Sequence, residues 1–185
     1  PDGTRVYVAN SISDTISVIK TSTNEVTDTV NVGPNPVGMA MTGMGKISKL
    51  YVANSGNSLS PGNTISVINT STNQVIDTIT VEPSPIAVLI APNSSRAYVA
   101  SMDTVSVIDV PTDKVIATIF ARGSGPTNVL ITPDGSKAYV VSSGTNTVSI
   151  INISTDQIIS TLNVGSRPSS IAITPDGSKV YVTNF

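Results

Sequence analysis

The sequence predicts an all-β fold built from tandem repeats. Three observations carry this reading. One segment recurs five times, a second recurs four times between the copies of the first, and apolar residues alternate with Ser and Thr at period two in both. Internal repetition at 40–45 residues, with strand periodicity inside each period, is the pattern of an array of small sheets.

The first segment reads PDGTRVYVAN at 1–10, GKISKLYVAN at 45–54, NSSRAYVAS at 93–101, PDGSKAYVVS at 133–142 and PDGSKVYVTN at 175–184. Its anchors are Tyr7, Tyr51, Tyr98, Tyr139 and Tyr181, spaced by 44, 47, 41 and 42 residues. The second segment appears as TISVIKTSTNEVTDTVNVG, TISVINTSTNQVIDTITVE, TVSVIDVPTDKVIATIFAR and TVSIINISTDQIISTLNVG. A Pro and another short apolar run follow each copy. Pro-Asp-Gly presets φ with Pro and admits positive φ at Gly, so it marks a turn. Thr-Asn or Thr-Asp at 23–24, 72–73, 112–113 and 155–156 marks another, because short polar side chains bond local backbone.

Each period therefore holds four strands. In the fourth repeat, strand A is expected near Val129–Thr132, B at Lys137–Val141, C at Val148–Asn152 and D at Ile158–Val164. Four antiparallel strands per 40–45 residues make a β-propeller blade, since a lone four-stranded sheet leaves a face bare and neighbouring blades cover both. The strand order reads B-C-D, three times A-B-C-D, then A-B. The chain, 1–185, is thus expected to be a propeller segment of about four repeats from a larger array. The alternative for the unpaired final B strand is self-association through an open 175–185 edge.

The stretch KVYVTN at 179–184, preceded by PDG, resembles the defining strand of the YVTN family of β-propeller repeats, found in archaeal and bacterial surface-layer and secreted proteins. The resemblance spans essentially the whole chain. It implies an extracellular, cell-surface or periplasmic location and a ring that commonly closes with seven blades. Three places depart from the pattern. TGMGKISK precedes Tyr51 and is two residues longer than TPDGSK at 132–137. PNSS replaces PDGS before Tyr98. The B–C loop 55–63 is five residues longer than its counterpart at 11–14.

Composition narrows the chemistry. Charged residues are 12%, aromatics 4%, and net charge is −2. Neither nucleic acid nor an anionic membrane is indicated as a partner, and no apolar run approaches the ~20 residues of a spanning helix. Cys and His are both absent. That removes thiolate and imidazole nucleophiles, general bases and metal ligands, so no catalytic residue, cofactor or metal is assigned.

The carboxylates read as turn residues. Asp2, Asp134 and Asp176 occupy the PDG turns. Asp14 and Asp103 match Asn63 and Asn146, while Asp113 and Asp156 match Asn24 and Asn73. Asn cannot act as a base, so positions where the two interchange do structural work. Asp28 and Asp77 share a D-strand position with Ala117 and Ser160, which indicates an exposed outer strand. Arg5, Lys49, Arg96, Lys137 and Lys179 each stand two residues before the Tyr. They read as solvated strand starts, with a cationic ring for an anionic glycan as the functional alternative. The sequons at Asn69, Asn93 and Asn152 are at chance frequency in so Ser/Thr-rich a chain.

The expected binding face joins the D–A loops to the B–C loops, with Asn10, Asn54, Asn57, Asn63, Arg122 and Arg167 as its candidate residues. The function expected is a non-catalytic cell-surface or secreted module that presents these loops to protein or polysaccharide. Two alternatives stand beside it. One is a piece of a lactonase-like propeller hydrolase or lyase whose site lies elsewhere. The other is a quinone-binding redox propeller, disfavoured because its Trp-rich repeats are missing.

Overall fold

A computed structural model describes residues 2–43, 48–121 and 125–185. The altered turn at 44–47 lies outside them. The described chain forms 17 strands in five antiparallel sheets, in the order expected. Strands β1 (Arg5–Asn10), β2 (Thr15–Lys20) and β3 (Glu25–Asn31) supply B, C and D of the first repeat. Strands β4 (Pro36–Met41), β5 (Lys49–Gly56), β6 (Pro61–Asn69) and β7 (Gln74–Thr80) make the second blade. The third comprises β8 (Ala87–Ile90), β9 (Arg96–Ser101), β10 (Thr104–Asp109) and β11 (Lys114–Phe120). The fourth comprises β12 (Pro126–Ile131), β13 (Lys137–Ser142), β14 (Thr147–Asn152) and β15 (Gln157–Asn163), and β16 (Pro168–Ile173) pairs with β17 (Val180–Asn184). The chain divides into two compact units, Pro1–Val88 and Leu89–Phe185.

The repeat alignment holds to the residue. Tyr7, Tyr98 and Tyr139 stand opposite Val18, Val107 and Ile150, and Tyr51 stands opposite Val67. Every C–D pair carries a bulge at the same place, between Val18 and Ile19, Val67 and Ile68, Val107 and Ile108, and Ile150 and Ile151. A bulge bends and twists the outer strand, which blunts an unpaired edge against adding a further strand. The D strands are the exposed ones, with Asp28 and Asp77 in solvent as the sequence indicated.

Burial of apolar faces between neighbouring sheets holds each unit together. In the first unit, Ile16, Val18 and Val30 pack with Leu50, Val52 and Ile68, joining the first blade to the second. In the second unit, Val141, Val148 and Ile171 form the equivalent layer, with Tyr139, Val180 and Val182 against it.

The turns behave as their chemistry requires. Asn24, Asn73, Asp113 and Asp156 all adopt left-handed φ, between 55 and 57°. Asn and Asp tolerate that region better than other side chains. Gly3, Gly135 and Gly177 take φ of 70–74° in the PDG turns, and Ser94 takes φ 53° in the PNSS copy.

Candidate functional site

The face carrying the B–C turns and D–A loops is knitted by backbone in each unit. In the first unit, Ser55 N donates to Asn35 O at 3.0 Å and Gly56 N to Pro34 O at 3.0 Å. The Asn35 side-chain amide returns a bond to Gly56 O at 2.6 Å. Asp14, at φ 56°, accepts from Asn35 N at 2.8 Å. In the second unit, Gly125 N donates to Met102 O at 3.1 Å and Ser143 N to Gly125 O at 3.0 Å. Asn146, at φ 57°, accepts from Arg167 N at 2.7 Å. Rigid loop placement of this kind is the usual setting for a binding surface.

The six candidate residues do not all reach that surface. Asn54 is fully buried at the end of β5, where its amide donates to Thr64 Oγ1 and Ser66 Oγ, both at 3.0 Å. Asn10 does the same in the first blade, to Thr15 Oγ1 at 3.1 Å and Ser17 Oγ at 2.8 Å. These two amides pin strand B to strand C; Asn54 belongs to the blade interior, while Asn10 is half-buried. Asn63 is exposed but lies within β6, not in a loop. The 55–63 segment extends the hairpin: Gly56 pairs with Pro61. Gly56 and Gly62 are both required there, because a Cβ on Gly56 would lie 2.0 Å from Gly62 N and one on Gly62 2.2 Å from Asn54 O. Asn57 is at the tip, where its Oδ1 accepts from Leu59 N at 3.0 Å and Ser60 N at 2.9 Å. Arg167 is exposed in the D–A loop at φ 47°. Arg122 lies outside the described residues.

The structure adds what the sequence reading missed. The B–C turns of three successive blades each present an apolar side chain to solvent: Ile12 at 99% exposure, Leu59 at 96% and Met102 at 57%. The signal was available as one large apolar residue inside an otherwise polar turn.

In the two blades where their partners are seen, the cations before the tyrosines bond the neighbouring blade, Arg5 from an exposed position and Arg96 from a partly covered one. Arg5 Nη1 donates to Thr70 O and, at 3.4 Å, to Asn73 Oδ1 in the C–D turn of the next blade. The Tyr7 hydroxyl donates to the same carbonyl at 3.3 Å. In the second unit, Arg96 Nη1 lies 2.7 Å from both Ile153 O and Asp156 Oδ2, and Tyr98 donates to Ile153 O at 3.5 Å and Asp156 Oδ1 at 3.3 Å. Burial pushes the Tyr98 phenol up to about 12. The Arg96 guanidinium is raised, first by its hydrogen bond with that phenol and then, against desolvation, by Asp156. The Asn/Asp of each such turn thus has two duties: it adopts the left-handed turn conformation and receives the clamp from the blade before.

Asp134 and Asp176 are exposed turn residues held at about 2, first by Thr132 and Thr174 hydroxyls at 2.5 Å and then by Ser136 and Ser178. A carboxylate so stabilised is a poor proton acceptor at neutral pH. Asp14 and Asn146 share one role, but Asp103 does not: it sits in the two-residue turn between β9 and β10 and is not left-handed. Among the described residues no cluster of three acidic, His or Cys residues could hold a metal. No helix among them is long and apolar enough to cross a membrane.

Strand order, sheet size and repeat spacing together define a β-propeller repeat protein. Solved structures agree. The chain resembles Kuenenia stuttgartiensis hydrazine synthase with a TM-score of 0.88 and 26% identity, covering 98% of this chain and 53% of that one. A functionally unknown protein from Desulfotomaculum acetoxidans matches with a TM-score of 0.83 and 20% identity, over 98% of this chain and 59% of that one. The β-propeller domain of Myceliophteria thermophila Cps50 (Swd1) matches at 0.79 and 15%, with the same 98% and 59% coverage. This chain therefore spans a little over half the length of these neighbours. No family model and no curated protein matches it.

Proposed function

We propose that this chain is a non-catalytic binding module of a cell-surface or secreted protein, of the surface-layer type its YVTN-like repeats resemble. It engages a protein or polysaccharide through its B–C and D–A loops. The observation that carries this reading is the pair of apolar tips in the first unit, Ile12 and Leu59, on otherwise polar turns. Side chains this exposed contribute nothing to the fold, and apolar groups gain free energy when a partner removes them from water. The acidic residues support the non-catalytic reading, because Asp14, Asp113, Asp134, Asp156 and Asp176 are all engaged in turns or clamps.

The test compares the wild-type chain with a variant carrying Ile12→Asp and Leu59→Asp. Binding to cell-wall polysaccharide and to surface-protein extract from the producing organism is measured by biolayer interferometry. Loss of binding with an unchanged far-UV spectrum supports the proposal. Equal binding by the two proteins rejects this face.

A second reading has one observation in its favour. The likeness to hydrazine synthase places similar blades inside an enzyme. On that reading the chain is a propeller portion of a larger enzyme, and the reacting groups are contributed by residues other than these 185.

A further inference from the structure

Strand B ends in Asn10, Asn54 and Asn184 in three repeats, but in Ser101 and Ser142 in the other two. The partners on strand C do not change. They are Thr15 and Ser17, Thr64 and Ser66, Thr104 and Ser106, and Thr147 and Ser149. Register places each B-strand terminus opposite the first member of the pair: Asn10 with Thr15, Asn54 with Thr64, Ser101 with Thr104, and Ser142 with Thr147. In the first two blades the Asn amide bridges both hydroxyls. Among the described residues, no protein group bonds the hydroxyls of Ser101, Thr104 or Ser106 in the third blade or those of Ser142 or Ser149 in the fourth, whereas in the second blade only the Asn54 Oδ1 is left without a partner. All five residues are at least 95% buried.

We propose that the third and fourth blades each hold one internal water, bound by these hydroxyls at the place the Asn carboxamide fills in the other blades. Buried hydroxyls without partners carry an uncompensated desolvation cost. A polar site with two to four partners is where internal water settles, whereas cavities that stay dry are apolar. Replacing a carboxamide by a hydroxyl frees a volume on the order of one water, ~30 Å³ in the liquid. The Ser101–Thr104–Ser106 site offers the water three oxygens. The fourth blade offers Ser142 and Ser149, because Thr147 already bonds Thr145 at 2.8 Å.

The exchange has a consequence for the loop face. Gly33 lies against Asn54 so closely that a Cβ would come within 2.6 Å of its amide nitrogen, and Gly165 stands likewise 2.6 Å from Asn184 Cγ. The corresponding positions ahead of Ser101 and Ser142 are Glu82 and Arg122. Asn at the end of strand B thus goes with Gly in the preceding D–A loop, and Ser goes with a charged side chain. At Gly33, a water in place of the Asn54 carboxamide relieves the Gly requirement, since it can shift where a carboxamide anchored to the strand cannot.

A crystal structure of the full chain, at a resolution that shows ordered solvent, tests the site directly. One ordered water within ~2.5–3.0 Å of the Ser101, Thr104 and Ser106 oxygens, with its counterpart at Ser142 and Ser149, is the expected result. Empty density, or hydroxyls turned onto backbone carbonyls, would overturn the proposal. Thermal melting of Asn54→Ser, Gly33→Ala and the double variant tests the relief. Gly33→Ala should melt well below wild type, and the double variant should recover toward Asn54→Ser. A double variant melting no higher than Gly33→Ala would overturn the claim that water relieves the glycine. If Gly33→Ala does not fold, a folded double variant establishes the same relief, an unfolded one refutes it, and the crystal structure of Asn54→Ser must show a third water at the vacated amide.

Discussion

Replacing Arg96 with Met keeps the stem and removes the guanidinium that joins the third blade to the fourth. The lost contacts are 2.7 Å bonds to Ile153 O and to Asp156, whose side chain is 15% exposed against 27% for Arg96. Hydrogen bonds to charged groups contribute about 1.5–3 kcal/mol, and fully exposed pairs about 0–1. This pair is mostly covered but still screened, so a loss of about 2 kcal/mol is expected. At ~2–4 °C per kcal/mol for a chain of this size, the melting midpoint should fall by about 4–8 °C. The assay is thermal unfolding by circular dichroism, with Arg96→Lys and Asp156→Asn as controls. Lys stands at this position in three repeats and Asn73 at the turn position in the second, so both controls should lose less than half as much. A midpoint for Arg96→Met within about 1 °C of wild type would show that the cation is a solvated strand start and that the clamp is without weight.

Three further outcomes are expected. Ile68→Ala empties a fully buried position between the first two blades and should cost about 2–5 kcal/mol in urea unfolding. Replacing the 57–60 tip by a two-residue turn should leave the midpoint nearly unchanged, since closure entropy varies slowly with loop length. A drop as large as that of Ile68→Ala would mean the tip is structural. Asp134 and Asp176 have folded values near 2, below the unfolded 3.8. Their contribution is therefore fully present above about pH 4 and is lost as pH falls toward about 2. Carboxyl-carbon NMR should show both titrating near 2, and midpoints near 4 would remove the turn network as their cause.

The period-two alternation and the five tyrosines made the strands and their order legible, because both follow from local chain geometry. The C–D turns were legible for the same reason: Asn24, Asn73, Asp113 and Asp156 announce a left-handed residue. What could not be read locally was contact between repeats. Arg5 finds Thr70, and Arg96 finds Asp156, across some 60 residues, and nothing at either end distinguishes a clamp from a solvated charge. Asn54 misled for a related reason. At a strand end next to an insertion it looks like a loop residue, yet the insertion lengthens the hairpin and leaves the amide inside.

The binding role of the loop face is tested most directly by one titration. Wild-type chain and the tip-shortened 57–60 variant, both verified as folded, are titrated against cell-wall polysaccharide and surface-protein fractions of the producing organism. The wild type should bind at least one fraction saturably, and the shortened variant should bind that fraction distinctly more weakly. Saturable binding that is identical for the two, or no binding by the wild type to either fraction, would contradict the account.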